Sequence, residues 1–289
     1  MFEDIIGNEK AKQYLKSAVR NEKILHSYLF VGQEGIGKKK IAEEYAKVIL
    51  CNNQTGQDNC KSCLEMENSN NPDYLEIDTE ENSIKIDQIR QMQRKIAEKP
   101  IISERKVYII NDAEKMTIEA QNCLLKTLEE PPEYICIILI TSNENMIINT
   151  IKSRCTTLNF NPIEDEELMK YLEKEIKNID ETEIKRYNGS IKNAIEIQQN
   201  KEIYDELEKY FGNIERYKTV DTLGKIKSLY EHKEKIKQML EYINKILIEK
   251  AKENPKYIEY IQTIEIAKQK ISRSANYDMT IDYIIMNIF

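Results

Sequence analysis

Along residues 1–160 the apolar positions switch between two periods. From Glu9 to Arg20, Ala11, Leu15 and Ala18 fall on one face at helical spacing. Ser27 to Val31 (SYLFV) is a short unbroken apolar run that ends at a glycine-rich turn, the pattern of a buried strand. Lys40 to Leu50 returns to helical spacing, with Ile41, Tyr45, Val48 and Ile49 inward. Asp73 to Ile77 predicts another short strand, and Asp87 is a candidate cap for a helix running toward Glu98. Lys106 to Ile110 (KVYII) and Cys136 to Ile140 (CIILI) are continuously apolar, as strands covered on both faces of a parallel sheet are. Strand and helix in turn predict an α/β core.

Asn161-Pro162 breaks this rhythm. Beyond it the pattern is helical, over Glu166–Lys177, over Ile191–Gln198, and through a Tyr- and Ile-rich stretch from Lys201 to Phe289. Ile236, Leu240, Ile243 and Leu247 share a stripe there. The predicted organisation is an α/β domain over 1–160, a small helical domain over 161–200 and an all-helical domain over 201–289.

Composition narrows this picture. A chain of 289 residues has room for two or three domains, and only 8 glycines and 6 prolines favour helix over an all-β fold. The formal charge of −7 means that the surface as a whole repels a polyanion, so DNA contact would need a local patch or partner subunits. The longest apolar run, Tyr134 to Ile140, is too short to span a bilayer. Six cysteines without an export-type leader imply a reducing cytoplasm rather than a disulfide framework.

The candidate chemistry lies after the first strand. Residues 32–39 read Gly32-Gln33-Glu34-Gly35-Ile36-Gly37-Lys38-Lys39, a G-x-x-x-x-G-K phosphate loop between a predicted strand and a predicted helix. Gly32, Gly35, Gly37 and Lys38 are the candidate phosphate-binding residues, because backbone amides and a helix start form a nest for phosphate oxygens. The next position, which supplies a Mg²⁺-ligating hydroxyl in hydrolysing P-loop proteins, is Lys39. After the KVYII strand, Asn111 stands where a metal-associated Asp belongs and Asp112 where a water-activating Glu belongs. Two independent losses at one site predict poor hydrolysis and weak or absent ATP binding.

Several further segments carry a family resemblance. Phe2-Glu3-Asp4-Ile5-Ile6-Gly7-Asn8, His26-Ser27-Tyr28-Leu29-Phe30, Asp112-Ala113-Glu114-Lys115-Met116, Leu124 through Pro132 (LLKTLEEPP), Thr141-Ser142-Asn143 and Ser153-Arg154-Cys155 occur in the order and spacing of AAA+ clamp-loader subunits of the bacterial DNA polymerase III. The chain resembles the non-hydrolysing delta-prime type more than the tau/gamma type, which normally keeps the residues missing here. The resemblance is strong over 1–160, thinner beyond, and returns at Asn276 to Asp282.

The resemblance implies an AAA+ P-loop core, a helical lid and a C-terminal collar that holds a hetero-oligomer. Implied partners are the tau/gamma and delta subunits, with primer-template DNA and the sliding clamp met through the complex. Arg154 would be an arginine finger directed at the ATP of a neighbour, and any polymerase activity would belong to the holoenzyme. Asn143 falls at the polar sensor position. Lys192 falls where active relatives often carry a phosphate-sensing Arg, although the residue itself reads as a surface helix lysine. The resemblance also implies a zinc module: Cys51, Cys60 and Cys63 match three of four expected ligands, with the fourth replaced near Gln57 or Asp58. The alternative to an ATPase-deficient subunit is an active P-loop ATPase that remodels another DNA complex, which brisk Mg²⁺-dependent hydrolysis by the purified chain would favour. A nucleotide-retaining but non-hydrolysing module stays open as a third reading.

Overall fold

The computed structural model describes residues 1–79, 83–175, 183–273 and 275–289. The chain forms two compact units, Met1–Ile195 and Glu196–Phe289.

The first unit is built on a five-stranded, wholly parallel sheet. Its helices and strands run α1 (Glu9–Arg20), β1 (Ser27–Val31), α2 (Lys38–Leu50), α3 (Lys61–Glu67), β2 (Tyr74–Ile77), α4 (Ile86–Ile96), β3 (Lys106–Ile110), α5 (Ile118–Glu129), β4 (Ile135–Thr141), α6 (Asn149–Lys152) and β5 (Thr156–Asn159). In space the strands lie in the order β2-β3-β4-β1-β5. All five residues of β3 and all seven of β4 are buried, which is why their sequences lack polar alternation.

Alternate residues of each strand feed two separate cores. On one face Val107, Ile109, Cys136, Ile138 and Phe30 pack with Leu15 of α1 and Ile41 and Tyr45 of α2. On the other, Tyr108, Ile110, Ile137 and Leu139 pack with Ile89 and Met92 of α4 and Leu124 and Leu128 of α5. The α/β prediction holds, with helices on both faces of a parallel sheet.

Two boundaries differ from expectation. The second helix begins at Lys38, because the phosphate loop leads straight into it. Asp87 lies inside the first turn of α4 rather than at its cap; Lys85 is the cap residue, and its backbone N–H donates to Gln88 Oε1 at 3.0 Å.

After β5 the first unit adds α7 (Asp165–Glu175) and α8 (Ile184–Tyr187), and the boundary falls within α9 (Ile191–Gln199). The expected C-terminal end of α7, at Lys177, lies outside the described residues. The second unit is helical among its described residues, with its longest helices at Ile236–Glu253, Tyr257–Ser272 and Tyr277–Ile288. Leu240, Ile243 and Leu247 are each 0–1% exposed and Ile236 is 5% exposed, so the predicted stripe is the buried one. Among the described residues no helix is long and apolar enough to cross a membrane.

Candidate nucleotide site and arginine finger

In a parallel α/β sheet, ligand sites form where loops leave the carboxyl ends of the strands. Here the phosphate loop follows β1, Asn111–Glu114 follow β3, Thr141–Asn143 close β4, and Asp78 follows β2. Gly32 N–H donates to Thr141 O at 3.2 Å, and Asn111 N–H to Ile77 O at 3.0 Å, so these ends are stitched together.

Within the loop, Lys38 folds back. Its ammonium donates to Gly32 O and Gln33 O, each at 2.6 Å. Burial depresses its pKa, against the opposing charges of Glu114, Glu34 and Asp112. The lysine that would reach a phosphate therefore satisfies its own loop's carbonyls.

The loop is also closed from outside by residues 188–192. Ile191 N–H donates to Gly35 O at 3.1 Å, Ser190 Oγ to Glu34 O at 3.1 Å, and Gln33 Nε2 to Asn188 O at 2.5 Å. Lys192 pairs with the Glu34 carboxylate. Gly35 has φ +80°, and a Cβ there would collide with Ser190 Oγ and stand 2.6 Å from Lys192 Cβ, so glycine is required on both counts. Lys192 is the exposed helix lysine that its sequence suggests, and it also pairs with the loop. The sequence hid this, because its partner lies 158 residues away.

The two positions that fail the metal pattern meet at one place. Lys39 forms ion pairs with Glu76 of β2 and, at 3.6 Å, with Asp78. Asn111 Nδ2 donates to Asp78 Oδ1 at 3.0 Å. Glu76 Oε1 is buried and, among the described residues, has no partner besides the Lys39 ammonium. Partial burial works against the Lys39 charge, yet Glu76 and Asp78 hold its pKa above the usual lysine value. Asp78 is likewise held below the usual carboxylate range, by Asn111 and Lys39, in spite of some desolvation. A tethered cation and an amide stand on the carboxylates of this corner. Asp112 pairs with Lys115 at 2.8 Å. The Asn143 side chain accepts from Asn145 N–H at 3.1 Å and caps a turn. Glu76 and Asp78 were missed in the sequence; for Asp78 an acid just past a strand end was the available signal, and Glu76 lies within β2.

Arg154 lies at the other edge of the sheet. Its carbonyl accepts from Ser27 Oγ at 2.8 Å, at the start of β1, whereas the phosphate loop leaves the end of that strand. Four strand steps separate the two, about 13 Å at ~3.3 Å per residue. With its backbone pinned, Arg154 cannot serve its own loop. The guanidinium is about one-third exposed (34%) and pairs through Nη2 with Glu129 Oε1 at 2.7 Å. Nη1 donates to Thr150 O at 2.9 Å.

A third cluster gathers the candidate metal residues. Cys51 ends α2, Cys60 caps α3 and Cys63 lies in its first turn. Asp58 joins them: one ligand atom from each of Cys51, Asp58, Cys60 and Cys63 lies within 4.8 Å of the others. Cys60 Sγ and Cys63 Sγ are 3.6 Å apart, and Cys63 Sγ is 3.3 Å from Asp58 Oδ1. Tetrahedral zinc with ~2.3 Å bonds to sulfur needs S···S separations of roughly 3.8 Å, so this donor set fits the ion. Of the two candidates for the fourth position, Asp58 lies with the three thiols. Cys136 is fully buried and Cys123 and Cys155 are partly buried, all three as free thiols.

A family model described as "DNA polymerase III, delta subunit" matches residues 7–164, more than half of the chain. The chain belongs to the clamp-loader subunit family of DNA polymerase III. It is 38% identical over 165 residues to the DNA polymerase III subunit tau of Bacillus subtilis, covering 56% of this chain and 29% of that protein. It is 34% identical over 207 residues to subunit gamma of Buchnera aphidicola, covering 68% and 57%. With subunit delta' of Bacillus subtilis it shares 30% over 196 residues, covering 67% and 60%. The matches thus span between 29% and 60% of the length of these relatives. Among solved structures, a gamma subunit-related protein of Thermotoga maritima superposes with a TM-score of 0.56 at 21% identity, over 94% of this chain and 97% of that one. This is a likeness of fold.

Proposed function

We propose that this clamp-loader family member is an ATPase-deficient subunit of the delta-prime type, which acts on nucleotide only through a neighbour. The observation that carries the reading is the pair of opposite fates at the two ends of β1. At the carboxyl end, Lys39 and Asn111 occupy the carboxylates of the metal corner, and Lys38 and residues 188–192 close the loop. At the amino end, Arg154 is pinned by its backbone, partly exposed, and out of reach of its own loop.

A guanidinium placed against a γ-phosphate stabilises charge that develops during phosphoryl transfer. In this reading the adjoining tau/gamma-type subunit supplies ATP, Mg²⁺ and the attacking water, and Arg154 completes that site. Residues 161–200 serve as a lid fixed on a loop that holds no nucleotide, and residues 201–289 as the collar that joins the assembly with delta and tau/gamma. Sliding-clamp loading on primer-template DNA is the work of that assembly in the cytoplasm. Zinc held by Cys51, Asp58, Cys60 and Cys63 has a structural role, tying the end of α2 to the start of α3.

The test is reconstitution with tau/gamma and delta. The isolated chain should show no Mg²⁺-dependent ATP turnover. Arg154→Ala should leave assembly intact and slow hydrolysis at the adjoining site by on the order of 10³-fold. Turnover by the isolated chain, or an unchanged rate in an assembled Arg154→Ala complex, rejects the reading. Brisk turnover would favour an active ATPase instead.

A further inference from the structure

Arg154 is not idle in the isolated chain. Its guanidinium is held by three acceptors: Glu129 Oε1 at 2.7 Å, Thr150 O at 2.9 Å and Ser153 Oγ at 3.3 Å. Thr150 O belongs to α6, and Glu129 is the last residue of α5, where unsatisfied carbonyls add partial negative charge. The backbone is fixed independently of the side chain, by Arg154 N–H to Ile151 O at 3.0 Å and by Ser27 Oγ to Arg154 O at 2.8 Å. Only the side chain is therefore free to exchange partners.

We propose that Glu129 is a positioning residue for the arginine finger: it parks the guanidinium until a neighbour's triphosphate displaces the carboxylate. The inference rests on the trans role of Arg154 argued above. Its physical basis is a competition between two anions. Glu129 carries one charge and is about half exposed (49%), so water screens its hold. A terminal phosphate carries more charge and offers the same fork of acceptor oxygens to the guanidinium. Parking keeps Arg154 off other anions before assembly, and it reduces the apparent affinity of the composite site by the fraction of time that the finger is engaged. A surface pair of this exposure holds its partner for most of the time but not overwhelmingly, so the reduction is about two- to fivefold.

The experiment has two arms. In the isolated chain, ¹⁵N NMR of the arginine side chains should show slowed rotation at the Arg154 guanidinium, lost in Glu129→Gln. Equal mobility in both proteins overturns the latch, whatever the role of Arg154. In the reconstituted loader with a tau/gamma-type ATPase, Glu129→Gln should lower KM for ATP by about two- to fivefold at low salt, with the effect on KM rather than kcat. That difference should fade as ionic strength rises, because the pair is screened. In an Arg154→Ala background, Glu129→Gln should have no further effect. A KM shift that persists without Arg154, or a fall in kcat instead of KM, overturns the latch and leaves the trans role standing. No effect of Arg154→Ala on turnover removes both.

Discussion

Lys39→Thr gives the phosphate loop the hydroxyl residue of hydrolysing relatives and removes the cation that faces Glu76 and Asp78. Its consequence can be sized from the exposure of the pair. The lysine side chain is 42% exposed and that of Glu76 is 22% exposed, so the contact lies between a surface ion pair and a buried one. Exposed pairs contribute ~0.2–1 kcal/mol, and hydrogen bonds to charged groups ~1.5–3 kcal/mol. After substitution, Glu76 and Asp78 lose their facing cation, with the half-buried Glu43 beside Glu76; burial and the nearby Glu76 already raise the pKa of Glu43. A loss of about 1–2 kcal/mol follows, or roughly 2–8 °C in the melting of a unit of this size. Calorimetry in magnesium-free buffer measures it. Millimolar Mg²⁺ should then restore part of the loss in Lys39→Thr and leave the parent unchanged, because only the variant presents uncompensated carboxylates; a ligand at ten times its Kd contributes ~1.4 kcal/mol. Two results refute the reasoning. If the variant melts with the parent, the ion pair is inconsequential. If Mg²⁺ stabilises both alike, Lys39 is not standing in for a metal.

Further outcomes follow from the same geometry. The stability gap between parent and Lys39→Thr should narrow in acid: the depressed pKa of Asp78 makes its contribution present above about 3.9 and lost as pH falls through its folded value. Glu43 has the opposite sign, since its raised pKa gives stability below about 4.3 that is lost as pH rises through the folded value; urea midpoints against pH report both. Gly35→Ala, at φ +80° against Ser190 and Lys192, should destabilise the first unit by about 2–4 kcal/mol in urea unfolding and loosen residues 188–192 in hydrogen exchange. The purified chain should carry one zinc by elemental analysis. Asp58→Ala should weaken zinc in chelator competition by at least the ~10–100-fold that outer-shell changes produce, and Asp58→Cys should tighten it.

How much of this was legible beforehand depended on how local the cause was. The two central strands β3 and β4 could be read because burial leaves almost no polar residues in runs such as VYII or CIILI, whereas the part-exposed edge strand Thr156–Asn159 carries no such signal and was not predicted. The phosphate loop could be read because its glycines answer to backbone geometry within eight positions. The fates of Lys39 and Lys192 could not, since each is decided by a carboxylate supplied from elsewhere, Glu76 and Asp78 for one and Glu34 for the other. Asp87 looked like a helix cap by type and spacing, but the chain turns two residues earlier, where Gln88 bonds back to Lys85. Between Gln57 and Asp58 spacing had no power to choose. The fold places the Asp58 carboxylate beside the thiols, where it accepts from Cys60 N–H at 3.1 Å and lies 3.3 Å from Cys63 Sγ.

On the proposed reading, loss of hydrolysis and retention of a trans-acting arginine are physically separable, and the sheet is the reason. Side chains at the carboxyl ends of β1 and β3 can depart from the hydrolysing pattern, as Lys39 and Asn111 do, without touching the amino end of β1, where Ser27 holds the backbone of Arg154. The cost of rewriting is an uncompensated acidic corner, and Lys39 offsets it with its own charge. A cation fixed to the chain is present at every magnesium concentration, so in the proposed assembly this unit would stay in one state while its neighbours cycle with nucleotide. The partly exposed guanidinium on such a support would then present the same geometry to a partner in every cycle. A finger on a domain that itself opened and closed with ATP would not.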